Sequence, residues 1–97
     1  MSKLGIIGTI EVVPGARDKV LTALTAHKAR CLSDEAGTLE FEILVPREAE
    51  ARLLIFEVYE NDAAFELHRN SPSIARFRDE TAGDIVALNI TRCELIA

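Results

Sequence analysis

The chain has 97 residues, 48% of them hydrophobic, which is enough to fill the core of one compact domain spanning residues 1–97 but not of two. The formal net charge is −5 and the basic residues are scattered, which disfavours a nucleic-acid partner, because nucleic-acid-binding proteins usually present a basic face. No early apolar stretch is as long as a signal peptide or a membrane span, so we expect a soluble, cytoplasmic protein without a membrane partner.

The first third of the chain predicts a strand followed by a long helix. Residues 4–13 alternate between apolar and other side chains, as in a strand with one buried face. Pro14 and Gly15 end this strand, and apolar residues then recur at helical spacing over residues 16–35. Gly37 is predicted to end the helix as a left-handed C-cap.

The rest of the chain predicts three strands and two short helices. Asn61 and Ser71 are predicted N-caps, Pro72 suits the first position of a helix, and Gly83 is expected to end the last helix. The predicted strands cover residues 38–45, 52–60 and 84–96, and the predicted helices cover residues 62–70 and 72–82. The order β-α-β-β-α-α-β predicts an α+β fold, a ferredoxin-like split βαβ sandwich with a four-stranded antiparallel sheet.

The third predicted strand is apolar on both of its faces, which bears on assembly. Helices can cover only one face of such a sheet, and the second face of an ordinary antiparallel sheet is polar. Here the second face is expected to carry apolar side chains, depending on the register: Ile7, Val13, Leu44, Ile55 and Tyr59. We therefore predict a homodimer in which the sheets of two copies pack face to face.

The two histidines and two cysteines are the first candidates for chemistry. His68 lies three residues after Phe65 on the apolar face of a predicted helix, where an imidazole is either a packed core residue or a general base. His27 is expected at the edge of the first helix, partly exposed. Cys31 and Cys93 form no CxxC pair, and two cysteines with two histidines at these spacings offer too few ligands for zinc, so two buried free thiols and no metal are expected.

Three polar residues interrupt the apolar strands. Asn89 lies in the middle of the closing strand and Glu57 in the middle of the third, and either would need a hydrogen-bond partner if it were buried. His68 or an arginine could pair with Glu57, and Tyr59 adds a phenol on the same face. These residues around an apolar interior suit a flat or apolar small molecule.

The segments DEAGTLEFEILVPRE, LLIFEVYENDAAFELHRNSPSIARF and AGDIVALNI resemble the antibiotic biosynthesis monooxygenase family over nearly the whole chain. The resemblance implies a ferredoxin-like dimer with a barrel-like core, a dimeric α/β barrel. It also implies an enzyme that oxidises a quinol, an anthrone or a related phenolic compound with O2 and needs no metal, flavin or haem. The implied catalytic residues are His68, Asn89 and Tyr59, and the implied substrate-binding residues are Phe65, Phe77 and Glu57.

Departures from the family pattern keep two alternatives open. Many relatives carry a second histidine where this chain has Ser73, and haem-degrading relatives use a tryptophan and a first-strand asparagine, whereas this chain has no tryptophan and no asparagine before Asn61. Other relatives isomerise a phosphorylated sugar, which would need cationic side chains in the cavity, and the candidates are Arg69, Arg76 and Arg92. The alternatives are thus an isomerase of a small, possibly phosphorylated metabolite and a non-enzymatic ligand-binding dimer.

Overall fold

The computed structural model describes residues 3–96 and contains the predicted elements in the predicted order. No end of a helix or strand differs from its predicted position by more than two residues. The elements are β1 (Leu4–Val12), α1 (Arg17–Asp34), β2 (Thr38–Leu44), β3 (Arg52–Tyr59), α2 (Asp62–Arg69), α3 (Pro72–Glu80) and β4 (Ile85–Glu94).

The four strands form one antiparallel sheet in the order β2-β3-β1-β4, and the helices lie on one face of it. This is the ferredoxin-like arrangement that the sequence predicts. The register pairs Glu57 of β3 with Phe41 of β2 and with Ile6 of β1, so all three side chains point toward the helices. None of the helices in the described residues is long and apolar enough to cross a bilayer.

The caps of the two short helices are those predicted from the sequence. The Asn61 side chain accepts a hydrogen bond from the Ala64 backbone N–H at 2.9 Å, at the start of α2. The Ser71 hydroxyl accepts one from the Ile74 N–H at 3.3 Å, and Pro72 occupies the first turn of α3. These bonds satisfy backbone donors that a helix leaves unpaired at its N-terminus, and they fix where α2 and α3 begin.

Gly37 has a different role from the one predicted. Among the described glycines only Gly15 and Gly83 have a positive φ, so Gly37 is not a left-handed cap. Instead, a Cβ at residue 37 would lie 2.4 Å from the Cβ of Ala64. Glycine is needed because the start of β2 and the first turn of α2 approach each other closely, and this contact holds α2 beside the C-terminal end of α1.

The open face of the sheet is apolar as predicted, but the assignment of two residues to it was wrong. Ile55 and Tyr59 are buried beneath the helices, because the β1–β3 register turns the odd-numbered positions of β3 inward. The apolar residues on the open face include Ile7, Leu44, Leu54 and Phe56. Val13 follows the end of β1. Ile7 and Leu44 are about half exposed, and no element among residues 3–96 covers them.

Candidate active site

A cavity of about 340 Å³ lies between the sheet and the helices. Its walls are mostly apolar, and all seven elements contribute to them. No helix covers the outer part of β4, so Leu88 and Ile90 line the cavity while remaining about half exposed. The cavity therefore opens along β4, and its size suits a small aromatic molecule.

The imidazole of His68 lines the cavity and is hydrogen-bonded to a carboxylate that is not itself part of the wall. His68 is buried on α2, and its Nδ1 donates to Oε1 of Glu35 at 2.8 Å. Thr38 Oγ1 donates to the same carboxylate oxygen, also at 2.8 Å. Burial acts to raise the pKa of Glu35, but the hydrogen bonds from His68 and Thr38 outweigh it, and the pKa is lowered. Glu35 therefore accepts hydrogen bonds as a carboxylate, and it fixes the imidazole so that Nε2 is the nitrogen left for a ligand.

Glu57 also lines the cavity, but its partner is Tyr59 and not His68, as the sequence had suggested. The Tyr59 phenol donates to Oε1 of Glu57. Burial raises the pKa of the Glu57 carboxyl, and the hydrogen bond from Tyr59 and the nearby His68 only partly oppose this effect. Burial, followed by the nearness of Glu57, likewise raises the pKa of Tyr59. Tyr59 is therefore a neutral donor that fixes the Glu57 side chain from behind the cavity wall.

The expectation that His27 is partly exposed was wrong. Only 2% of it is exposed, because it continues the buried stripe of α1 that contains Leu24 and Cys31. Burial, with smaller effects from His68 and Arg30, lowers the pKa of His27 to about 4. Ser73 Oγ accepts a hydrogen bond from Arg30 Nε at 2.8 Å and can donate to Nδ1 of the neutral His27, also at 2.8 Å. Ser73 thus connects α3 to two side chains of α1.

The fold brings three potential metal ligands together that the spacing in the sequence keeps apart. His27, Cys31 and His68 each offer one ligand atom, and these atoms lie within 4.8 Å of one another. Burial raises the pKa of the Cys31 thiol to about 12, so the thiol is neutral at physiological pH. A metal ion here would have to displace the thiol proton and would compete with Glu35 for Nδ1 of His68. Cys93, expected to be buried, is only half-buried.

Because His27 is buried in its neutral form, we expect it to make the protein sensitive to mild acid. Its pKa is about 4 in the folded protein and near 6.5 in the unfolded chain. Below pH 6.5 the unfolded state binds a proton that the folded state excludes, so stability falls as the pH drops toward 4. Between pH 7.5 and pH 4.5 this effect should cost about 2 to 3 kcal/mol. Urea unfolding at the two pH values would measure it.

His27→Gln is the matched variant for this measurement, because its amide cannot titrate. The carboxyl of Glu57, whose pKa is raised, acts in the opposite direction, and its effect cancels in the comparison with the wild type. We expect the variant to lose less stability than the wild type over the same pH interval. Equal losses for the two proteins would show that His27 does not carry the effect.

The structure brings together five of the six site residues predicted from the sequence. Phe65 and Phe77 line the cavity with Glu57 and His68, and Tyr59 lies directly behind Glu57. Asn89 is not among them. It pairs with Thr9 on the open face of the sheet and is exposed there, because the register of β4 turns Leu88 and Ile90, rather than Asn89, toward the helices.

Sequence reasoning missed Glu35, which completes the carboxylate–imidazole pair. A signal for it was present, since Cys31 and Glu35 continue the four-residue spacing of His27 and Cys31 on one face of a helix. What the sequence does not contain is the approach of α2 to the end of α1. That approach depends on the contact between Gly37 and Ala64.

Comparison with known proteins agrees with this architecture. The sequence model of the family described as "Antibiotic biosynthesis monooxygenase" matches residues 4–80. A Mycobacterium tuberculosis protein named "Heme oxygenase (mycobilin-producing)" is 33% identical over 79 residues, which are 81% of this chain and 74% of the relative.

Two solved structures are similar over almost their whole length. A Pseudomonas aeruginosa protein is 26% identical with a TM-score of 0.90, covering 100% of this chain and 97% of its own. A Caulobacter crescentus protein described as an antibiotic biosynthesis monooxygenase has a TM-score of 0.92 at 15% identity, covering 99% of this chain and 92% of its own. The second likeness concerns the fold alone.

Proposed function

Because the chain belongs to the antibiotic biosynthesis monooxygenase family, we propose that it oxidises a quinol, an anthrone or a related phenolic molecule with O2, without a metal or organic cofactor. The observation that supports this reaction best is the hydrogen bond between His68 and Glu35 at the wall of an apolar cavity. An imidazole held by a carboxylate is a general base near neutral pH, and this is the group needed to deprotonate a phenol.

In the proposed reaction Nε2 of His68 takes the phenolic proton and the Glu35 carboxylate stabilises the imidazolium that forms. The resulting phenolate passes an electron to O2, and the two radicals combine into a hydroperoxide on carbon. Loss of water then leaves one oxygen atom on the product. An anthrone gives an anthraquinone and water, and a quinol with an unsubstituted ring carbon gives a hydroxyquinone and water. The substrate supplies both electrons, so no external reductant is required.

The remaining cavity residues have supporting roles in this proposal. Phe65 and Phe77 provide apolar walls against which an aromatic ring packs, and they help to exclude water from the phenolate. Glu57, whose pKa is raised by burial, can donate a proton to reduced oxygen. Tyr59 is a positioning residue that acts through Glu57. Asn89 faces away from the cavity and has no role in this reaction.

We do not propose haem as a substrate of this chain, although the mycobacterial relative is named a heme oxygenase. Haem-degrading relatives use a tryptophan and a first-strand asparagine, and this chain has no tryptophan and no asparagine before Asn61.

The proposed assembly is a homodimer in which the open faces of two sheets pack together. The face combines a central apolar patch of Ile7, Leu44, Leu54 and Phe56 with uncharged Thr9, Asn89 and Thr91 beside it. A second copy of the same face is the occupant that matches the apolar patch, since two such sheets would bury apolar against apolar surface. The charged residues of this face lie away from its middle, because Glu40 and Glu42 belong to the edge strand β2 and Glu11 is paired with Arg52.

The proposed function predicts oxygen uptake by dialysed, chelator-treated protein in the presence of an anthrone or a quinol. One O2 should be consumed per substrate, after subtraction of spontaneous oxidation. With ¹⁸O2, mass spectrometry should find one labelled atom in the product and the other in water. Uptake that disappears on chelation and returns with a transition metal would contradict the proposal and would assign His27, Cys31 and His68 as a metal centre.

The other outcomes separate the alternative functions. Turnover of a small metabolite under nitrogen would support an isomerase and remove O2 from the reaction. Tight binding of quinols without turnover under any condition would support a ligand-binding dimer. Either result would overturn the monooxygenase assignment.

A further inference from the structure

Three arginines surround the cavity of a protein that is acidic overall. The chain has 11 basic and 16 acidic residues, yet Arg69 of α2, Arg78 of α3 and Arg92 of β4 all line the cavity. Among the described residues 3–96, Glu57 is the only acidic one that lines it. Burial favours the neutral form of that carboxyl, so the cavity has the opposite charge from the molecule as a whole.

Two of these arginines lie close to an aromatic ring. The guanidinium of Arg92 lies 5.1 Å from the centre of the Phe65 ring and that of Arg69 lies 5.8 Å from it. Stacking of this kind orders a long side chain and leaves its N–H groups free to bind a planar anion. Phe65 is itself a cavity wall, so the two charges lie next to the space that the ligand would occupy.

The partners of these arginines on the protein are weak. Arg69 pairs with Glu66 at 3.2 Å, with both side chains 54% exposed, and Arg92 pairs with Asp62 at 3.8 Å, with the Asp62 side chain 79% exposed. Exposed ion pairs of this kind contribute little to stability because water screens them. A ligand can therefore replace either carboxylate at little cost. Arg76, in contrast, pairs with Glu80 on α3 and does not line the cavity.

From this arrangement we propose that the substrate is an anionic aromatic compound, with its ring beside His68 and a carboxylate or phosphate bound by Arg69, Arg78 and Arg92. The inference rests on the proposed function and narrows its substrate class. Carboxylate and phosphate each present two oxygens that a guanidinium can bind through two N–H groups at once. The anionic group also fixes which end of the ring faces His68, and so which hydroxyl loses its proton.

A matched pair of hydroquinones tests the proposal without requiring turnover. The probes are 1,4-dihydroxynaphthalene and its 2-carboxylate, with binding measured anaerobically by calorimetry at low and high salt. We expect the carboxylate to bind at least about tenfold more tightly, the effect of one net charge-assisted contact, and to lose this advantage as salt screens it. 1-Naphthyl phosphate and 1-naphthoate then distinguish phosphate from carboxylate as the preferred group.

Two variants test whether the arginines cause the preference for the anionic probe. Arg92→Gln and Arg78→Gln should each reduce the preference for the anion, and Arg78 makes no stacking contact with Phe65, so its replacement leaves that packing intact. The matched control is Arg76→Gln, which removes an arginine outside the cavity. Equal affinity for the neutral and anionic probes, or equal effects of all three variants, would overturn the proposal. An arginine-dependent preference without oxygen uptake would instead contradict the monooxygenase function alone.

Discussion

Replacing His68 with alanine is expected to lower substrate-dependent oxygen uptake by about 100- to 10 000-fold, because a positioned general base contributes a factor of this size. The loss should appear in kcat more than in KM, since the cavity walls that bind the ring remain. The measurement is the initial rate of oxygen uptake for wild type and variant, after each is shown to be folded by circular dichroism.

The companion variant Glu35→Gln tests the pair rather than the imidazole alone. Its amide keeps the size of the side chain but cannot stabilise an imidazolium, so we expect an intermediate loss of rate. Arg76→Gln, which changes an exposed side chain of α3, serves as the control and should keep the wild-type rate. Full activity of folded His68→Ala would remove His68 from the mechanism.

Replacing Ile7 with lysine is expected to convert a dimer of two chains into a monomer of 10.7 kDa. Ile7 lies between Phe56 of β3 and Thr91 of β4, at the middle of the open face of the sheet. Its side chain is 53% exposed in the single chain, so lysine is tolerated there unless a second copy covers it. Facing sheets would bury the ammonium group among the apolar residues at the middle of this face, which costs several kcal/mol. Equilibrium sedimentation of the wild type and the variant measures the change.

Leu67→Lys is the matched control, because Leu67 is 75% exposed on α2, away from the open face. We expect this variant to sediment as the wild type does. A wild-type protein that is monomeric throughout the concentration range would contradict the dimer, and a dimeric Ile7→Lys variant would place the interface elsewhere.

The order and ends of the elements could be predicted because each has a local signal. Asn61, Ser71 and Pro72 mark the starts of two helices by the hydrogen bonds that their chemistry allows, and alternating apolar residues mark the strands. The same pattern could not predict which face of β3 packs against the helices. Both of its faces are apolar, so only the pairing of Glu57 with Ile6 and Phe41 decides which face meets the helices.

Contacts within the candidate site could be predicted only where both residues lie on one element. His68 and Phe65 share one helical face, and the sequence places them together. The partner of His68 could not be predicted in this way, because Glu35 lies 33 residues away in the chain. The burial of His27 also depends on long-range packing, because Ser73 reaches it from α3. Hydrophobic patterning alone treats a histidine at the margin of an apolar stripe as exposed.

The separation of the two faces of the sheet has a genetic consequence. All seven elements of a single chain contribute to the cavity, which lies on the face of the sheet opposite to Ile7. Two copies joined through their open faces would each carry a whole catalytic apparatus, with two sheets between them. Alleles inactivated at different cavity positions, such as His68 and Arg92, would then fail to complement each other when expressed together, because no mixed dimer could assemble one intact site from two damaged chains.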